Sequence, residues 1–405
     1  MIEPVITNQS LFRQVRSKID EIAEVFYNLD YQETDSSLMV GKSGIVLFLL
    51  YHARVFRNEH SNDLAFALLN QILDEIRDHN DSFTYADGLA GVAWLIEHLI
   101  QQDFLDFDQE ESLEEIDRTL SKLMKLDFRH GNFDFLHGGL GYGMYFLERF
   151  KRKKDPAYLV DLIDSLDKIA IKDKNGQISW KADIHLDEII YGVNLGMAHG
   201  LPGVIAFLSR LYQMGIDKES PLDLMEGSMK YLLQYKQDPQ KYRSFFPNWI
   251  LKGTPATSRL AWCYGDPGIG LAIKQAAIAT NNAAWEKDYL EILENCSRRQ
   301  SLSADYVMDA GLCHGTAGLA QVFNHIFQLS KDQKYHEAAE FWIRQTLEMA
   351  RFHDGLAGFK AYRNNAKGEW DNEHGLLEGV AGIGLALMTS ISNEKPEWDT
   401  CLLIH

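Results

Sequence analysis

Two short stretches, CYGDPGIGLAI from Cys263 to Ile273 and CHGTAGLAQVF from Cys313 to Phe323, share a pattern that organises the whole chain. In each stretch a Gly-x-x-Gly motif is followed by an apolar run. The motif occurs seven times, and its second glycines are Gly44, Gly91, Gly141, Gly203, Gly268, Gly318 and Gly382. They are spaced 47 to 65 residues apart, which is room for two helices and their loops. The sequence therefore predicts seven two-helix repeats.

The segments between the motifs have the spacing of helices. Leu64 to Ile76 and Ala338 to Ala350 place apolar residues three and four positions apart, which predicts amphipathic outer helices. The runs that follow the glycines are apolar nearly all round, which is typical of inner helices covered on both sides. Alternating residues from Gln177 to Ile184 indicate a short strand, so we expect a small inserted element within 151–195.

Seven such repeats predict an all-α fold, a double-layered α/α toroid formed by residues 1–405 as one domain. Closure of the ring removes the exposed ends that an open solenoid must cap, and no repeat has the polar character of a cap. An open superhelix is the alternative. The glycines are expected to permit positive φ and close packing of each turn. A phosphate-binding loop is disfavoured because seven phosphate sites in one chain are implausible.

Composition excludes several classes of function. The chain has 405 residues, 46% of them hydrophobic, and a formal charge of −18, which disfavours binding to nucleic acid. Its longest apolar run, Ile45 to Tyr51, is too short to span a membrane. Four cysteines are too few for a disulfide framework, and the N-terminal segment has no signal-peptide pattern. We therefore expect a cytoplasmic protein, either free or peripheral to a membrane-associated complex.

Candidate metal ligands lie beside the glycines. If all seven turns lie at one end of the ring, the residue pair before each first glycine faces a common centre. Cys263 and Cys313 then hold the same position in adjacent repeats, and His314 follows Cys313. Two thiolates and an imidazole suit Zn²⁺, and three protein ligands leave the fourth position open, as in catalytic sites. The alternative, that each cysteine is a small core residue, is retained for Cys296 and Cys401.

Three segments carry a resemblance to a known family. AHGLPGV, RLAWCYGDPG and GLCHGTAG resemble the signature motifs of the lanthionine synthetase C-like family, the lanthipeptide cyclases, and the resemblance extends over essentially the whole chain. It implies an α/α toroid that binds one zinc ion per chain through two cysteines and a histidine. By motif, those ligands are Cys263, Cys313 and His314.

The same resemblance implies catalytic residues. It places the active-site histidine at His199, an arginine at Arg259, a tyrosine at Tyr264 and an aspartate at Asp134. His199 would either deprotonate the incoming thiol or protonate the enolate. Arg259 would stabilise the enolate or pair with Asp134, and Asp134 would alternatively orient His199. Tyr264 either positions the site or packs beside Cys263. His137, where relatives usually differ, is either a further active-site group or a turn residue.

The function that the resemblance implies is zinc-dependent cyclisation. A cysteine thiolate adds to a dehydroalanine or dehydrobutyrine of the same dehydrated precursor peptide, and a (methyl)lanthionine thioether ring forms. The expected partners are that peptide with its leader, a separate dehydratase and an exporter. Two alternatives remain open: a related enzyme that adds glutathione or another small thiol to dehydroamino acids, and a non-catalytic toroid that binds peptides.

Overall fold

Each of the seven glycine motifs starts a helix in the computed structural model of the chain, which describes residues 2–78, 82–106, 110–185, 189–251, 257–363 and 367–404. The helices that begin at the motifs, hereafter the motif helices, are α2 (Lys42–Phe56), α4 (Leu89–Gln101), α6 (Gly139–Lys153), α8 (Leu201–Met214), α11 (Asp266–Thr280), α13 (Thr316–Ser330) and α15 (Val380–Ile391). They are buried over nearly their whole circumference, as the apolar runs predict.

The remaining helices are mostly amphipathic and lie before, between or after the motif helices in sequence. They are α1 (Gln9–Tyr27), α3 (Glu59–Asp78), α5 (Glu110–Arg129), α7 (Ala157–Lys168), α9 (Glu219–Leu233), α10 (Pro239–Tyr242), α12 (Ala283–Arg298) and α14 (Gln333–Met349), with a 3₁₀ helix at Glu397–Leu402. The segments with helical spacing, Leu64 to Ile76 and Ala338 to Ala350, fall on α3 and α14.

The strands are short and antiparallel. They are β1 (Ile171–Lys172), β2 (Ile178–Ser179), β3 (Ala182–His185), β4 (Ile189–Asn194), β5 (Trp249–Ile250), β6 (Ala361–Tyr362) and β7 (Trp370–Asp371). β1 pairs with β2, β6 with β7, and β4 lies between β3 and β5. The first four strands occupy the interval in which alternation indicates an insertion, and β5 joins them from a later part of the chain.

The chain divides into two compact units. The first comprises Met1–Ser82, Ala86–Leu95 and Ser297–Thr400, and the second comprises Phe83–Tyr85, Ile96–Cys296 and Cys401–His405. In the first unit α15 packs against α1, α2 and α13. In the second unit α8 packs against α6, α9 and α11. The last motif helix is thus a direct neighbour of the first.

Equivalent residues of neighbouring turns are joined by backbone hydrogen bonds. In the first unit, Cys313 donates its N–H to the carbonyl of Leu377, Leu377 donates to Met39, and Met39 donates to Ala86, at 2.9 to 3.1 Å. Each of these residues lies two positions before the first glycine of its motif. The turns of repeats six, seven, one and two therefore stand side by side in register.

The second glycine of six motifs is required by a close approach of the backbone. A Cβ at this position would lie 1.9 to 2.8 Å from the carbonyl oxygen six residues upstream. This holds at six motifs: Gly44 with Leu38, Gly141 with Phe135, Gly203 with Met197, Gly268 with Trp262, Gly318 with Leu312 and Gly382 with Leu376. A side chain here would collide with rigid backbone, so the first turn of these six motif helices requires glycine at this position.

The expectation of positive φ at the glycines is wrong for most of the first glycines. Gly41 and Gly138 have φ of −108° and −146°, and Gly265 is an exception with φ of +132°. The residue after the first glycine donates its N–H to the carbonyl seven residues upstream, as from Lys42 to Asp35 at 2.8 Å and from Thr316 to Asp309 at 3.0 Å. This hydrogen bond closes the turn. The first glycine has no Cβ, so the two backbone segments of the turn can approach each other closely enough to form it.

We expect Gly382→Ala to destabilise the protein by about 2 to 3 kcal/mol, because its Cβ would lie 1.9 Å from the Leu376 carbonyl oxygen. Gly270→Ala is the matched control: it lies within α11, and the three atoms nearest to its Cβ would be side-chain carbons of Leu293 and Ile292 instead of backbone. Thermal unfolding should show a clearly lower midpoint for Gly382→Ala. Equal midpoints for the two variants would contradict the backbone-contact explanation.

Candidate metal centre

The residue pair before each first glycine has one burial pattern in all seven repeats. The first member is buried: Met39, Ala86, Leu136, Ala198, Cys263, Cys313 and Leu377. The second member is partly or fully exposed: Val40, Asp87, His137, His199, Tyr264, His314 and Glu378. The turn therefore holds the two cysteines just beneath the surface, at 5% and 9% exposure, and directs the following side chain towards solvent.

Cys263, Cys313 and His314 come together although the two cysteines are fifty residues apart in sequence. Each residue offers one ligand atom, and the three atoms lie within 4.8 Å of one another. Atoms bonded to one zinc ion at about 2.0 to 2.3 Å lie at most about 4.6 Å apart, so the spacing is close to what one ion needs. Among the described residues, this is the one such group of metal-binding side chains.

Two carboxylates face the imidazole of His314. Asp309 Oδ2 lies 3.5 Å from its Nε2, and Glu378 Oε1 lies 3.9 Å from its Nδ1. Burial raises the pKa of Asp309, but hydrogen bonding and charge from His314 and the backbone N–H groups of Tyr362 and Gly311 outweigh it, so the pKa lies below its usual range. Whichever ring nitrogen binds a metal, the other has a carboxylate nearby, an arrangement typical of metal-binding histidines.

A second imidazole–carboxylate pair lies in the other unit. His199 Nδ1 is 2.7 Å from Asp134 Oδ2, while Asp134 Oδ1 accepts the backbone N–H groups of Leu136 and His137 at 2.7 and 2.8 Å. Burial raises the pKa of Asp134, but the contacts with His199 and the two N–H groups lower it by more, so the net shift is downward. A carboxylate fixed in this way holds His199 with Nε2 available for proton transfer.

Two further rings flank His199. His137 stacks on it with ring centroids 6.2 Å apart, and Tyr264 lies 6.0 Å away at a tilt. The Tyr264 hydroxyl accepts a hydrogen bond from Asn194 Nδ2 at 2.9 Å. Asn194 also accepts the N–H of Gly196 through Oδ1 at 2.7 Å. Tyr264 is therefore held beside His199 by hydrogen bonding as well as by its place after Cys263.

The sequence reasoning missed Asn194 and Asp309, although a signal for both exists. Each lies six residues before the first glycine of its motif, and each accepts the N–H of the residue two positions on. Asp35 and Asn132 occupy the same place in their own repeats and make the same bond. An Asp or Asn at this position therefore stabilises the turn, and in repeats four and six it also contacts the site.

Three further residues considered from the sequence, Arg259, Cys296 and Cys401, belong neither to the metal-binding group nor to the His199–Asp134 pair. The Arg259 side chain is half-buried, and within the described part of the chain it makes no ion pair with Asp134, whose carboxylate is bound to His199 instead. Its carbonyl oxygen would lie 2.1 Å from a Cβ at Gly265, which explains that glycine. Cys296 and Cys401 are buried and lie outside the metal-binding group.

Comparison with known proteins identifies the family. The sequence model of the family described as lanthionine synthetase C-like protein matches residues 32–403. Glutathione S-transferase LANCL1 of Danio rerio is 25% identical over 340 residues, which is 81% of this chain and 79% of that protein. Nisin biosynthesis protein NisC of Lactococcus lactis subsp. lactis is 23% identical over 394 residues, 89% of this chain and 86% of that protein.

Among solved structures, nisin cyclase superimposes with a TM-score of 0.75 at 21% identity and covers 98% of both chains. This match confirms the predicted fold class, an all-α α/α toroid. No described helix has the length and apolarity needed to cross a membrane. The motifs, the fold and the family model agree, and the chain belongs to the lanthionine synthetase C-like family.

Proposed function

We propose that the protein is a zinc-dependent lanthipeptide cyclase. It would add peptide cysteine thiolates to dehydroalanine or dehydrobutyrine within one dehydrated precursor peptide and so form (methyl)lanthionine thioether rings. The observation that carries the proposal is the group formed by Cys263, Cys313 and His314, whose ligand atoms lie within 4.8 Å of one another. The pair formed by His199 and Asp134 supplies the proton-transfer chemistry that the same reaction requires.

The donor set fits one zinc ion. Cys263 and Cys313 would bind through sulfur and His314 through a ring nitrogen, and Asp309 or Glu378 would orient the imidazole. Zinc bound by these residues, with its fourth position open, would keep a substrate thiol in the thiolate form. The near-surface position of both cysteines is consistent with access for a peptide.

His199 is our candidate for proton transfer. When His199 Nδ1 donates its hydrogen to Asp134 Oδ2, the neutral ring carries its lone pair on Nε2. That nitrogen can take the proton of the incoming thiol. Attack of sulfur on the alkene carbon leaves an enolate, and the imidazolium can return that proton to the α-carbon. The proton count then balances with no other donor, and Asp134 stabilises the charged intermediate form of the ring.

Arg259 and Tyr264 are assigned supporting roles. A guanidinium is a permanent positive charge that would stabilise the developing enolate oxygen, and Arg259 is half-buried in the segment that leads to Cys263. The Tyr264 hydroxyl, bound by Asn194, would position the substrate next to His199. The proposed partners are a precursor peptide with its leader, a dehydratase and an exporter, and the proposed location is cytoplasmic.

A second candidate function is addition of glutathione or another small thiol to dehydroamino acids. It is favoured by the 25% identity to glutathione S-transferase LANCL1, and it would use the same groups. A non-catalytic peptide-binding toroid has less support, because the three candidate ligand atoms lie within 4.8 Å of one another and His199 is hydrogen-bonded to Asp134.

We expect about one zinc ion per chain in protein purified without chelators, and none in Cys313→Ala, because two ligands cannot hold the ion tightly. Cys296→Ala is the matched control, since Cys296 is a buried thiol outside the group and should leave the zinc content unchanged. Elemental analysis by mass spectrometry measures both. Wild-type protein without metal would contradict the catalytic proposal, and the peptide-binding toroid would then lead.

Asp134→Asn should slow thioether formation by about 10²- to 10⁴-fold, because an amide can neither hold the required tautomer nor stabilise the imidazolium. The zinc content should be unchanged. Asp87→Asn, an exposed aspartate in the residue pair of repeat two, serves as the control and should retain full activity. A loss of zinc together with activity in Asp134→Asn would show that Asp134 acts on the metal site and not on His199.

The two candidate enzymatic functions can be separated with synthetic substrates. We expect the wild type to close a ring in a peptide that contains both dehydroalanine and cysteine, faster than it adds glutathione to a peptide that contains dehydroalanine alone. Because cyclisation changes no mass, remaining thiols are alkylated before mass spectrometry. The opposite preference would favour the small-thiol reaction.

A further inference from the structure

The segment formed by β6 and the residue after it holds both carboxylates that face His314. Asp309 Oδ2 accepts the backbone N–H of Tyr362 at 2.9 Å. The guanidinium of the next residue, Arg363, forms an ion pair with Glu378. All of these residues belong to the first unit. Two adjacent residues therefore fix the surroundings of this candidate metal ligand, although neither is a ligand itself.

Asp309 is the more firmly held of the two carboxylates. Its side chain is 1% exposed. Oδ1 accepts the N–H of Gly311 at 3.2 Å, and Oδ2 accepts that of Tyr362. A carboxylate bound in this way by backbone groups on both oxygens cannot turn away from His314 without breaking a buried hydrogen bond, which is costly.

Glu378 is less suited to orient an imidazole. Its side chain is 27% exposed, and its Oε1 lies 3.9 Å from His314 Nδ1, beyond hydrogen-bond distance. Its other oxygen accepts a hydrogen bond from Arg363. The guanidinium offsets the charge of this carboxylate, and water competes for it at the surface, so its attraction for the imidazole is weak.

Only one of the two carboxylates can accept a hydrogen bond from a metal-bound His314. The nitrogen that binds the ion has no hydrogen to donate, and the other nitrogen carries the N–H. Asp309 Oδ2 lies 3.5 Å from Nε2. A rotation of the ring that moves Nε2 by less than about 1 Å would give an ordinary hydrogen bond of about 2.8 Å.

We propose that Asp309 is the positioning residue of His314: it accepts the N–H of Nε2 and leaves Nδ1 as the nitrogen that binds the metal. The proposal rests on the zinc-dependent function proposed above and decides between the two carboxylates that flank the ligand. Asp309 acts through the imidazole and touches neither metal nor substrate. Such a carboxylate fixes the orientation of the ring and makes it a stronger donor to the metal.

Asp309→Asn tests the assignment. Asparagine is compatible with this turn, because Asn132 and Asn194 occupy the same place in their own repeats and make the same backbone bond. An uncharged amide should lower the affinity for zinc by roughly 10- to 100-fold, measured by competition with a chromogenic chelator. Glu378→Gln should change the affinity by less than about twofold.

Asp35→Asn is the matched control for the turn. Asp35 holds the same position in repeat one, accepts the N–H of Ser37 at 2.8 Å and lies outside the metal-binding group. It should leave the zinc affinity unchanged. The unfolding midpoints of the metal-free Asp35→Asn and Asp309→Asn proteins should be similar, because each change affects one turn in the same way.

Two spectroscopic measurements separate positioning from a structural role. Cobalt-substituted Asp309→Asn should keep the absorption of two bound thiolates, because only the imidazole loses its support. NMR spectra of the histidine ring nitrogens in isotope-labelled protein, with and without zinc, should show zinc at Nδ1 of His314. Zinc at Nε2, equal affinity of the wild type and Asp309→Asn, or a larger loss in Glu378→Gln would overturn the proposal.

Turnover of peptides that contain dehydroalanine and cysteine distinguishes this proposal from the cyclase function. Weaker zinc binding in Asp309→Asn, with no thioether formed by the zinc-loaded wild type, would refute the cyclase function and leave the positioning role. Thioether formation by the wild type, with unchanged zinc affinity in Asp309→Asn, would support the cyclase function and refute the positioning role.

Discussion

A backbone carbonyl occupies the space that a Cβ on the second glycine would need at six of the motifs, and the positions of those six motif helices depend on this contact. At Gly318 and Gly382 the distance would be 1.9 Å, far too short for any side chain. The contact brings the start of the helix against the segment that leads into it. Residues immediately before the first glycine are thereby held at a fixed place relative to the helix, with one side chain buried and the next exposed.

This fixed geometry explains how the site is assembled. Because backbone hydrogen bonds join equivalent residues of neighbouring turns, such as Cys313 to Leu377 and Leu377 to Met39, a residue type repeated at one register position recurs close by in space. Two cysteines at the buried position and a histidine at the exposed position offer three ligand atoms within 4.8 Å of one another. The site uses side chains that each turn already presents.

The same electrostatic arrangement occurs at both histidines. Asp134 faces His199 and Asp309 faces His314, and each carboxylate also accepts two backbone N–H groups. Burial raises the pKa of both aspartates, but the contacts with the histidines and these backbone bonds outweigh it, so the net shift is downward. An ionised and immobile carboxylate orients an imidazole, which suits a metal ligand in one case and a proton-transfer group in the other.

The sequence by itself determined the repeats, the starts of the motif helices and the register shared by Cys263 and Cys313, because these follow from glycine spacing and apolar periodicity along the chain. The reason for the glycines was only partly predictable: the close approach, and not positive φ, requires them at most motifs. Resemblance named Asp134 and His199 but left their relation open. Only the tertiary structure decided that Asp134 binds His199 and not Arg259, that Asn194 holds Tyr264, and that the inserted strands line a cavity beside them. These contacts join residues 65 and 70 positions apart, and such contacts depend on the path of the backbone between them, which no local pattern encodes.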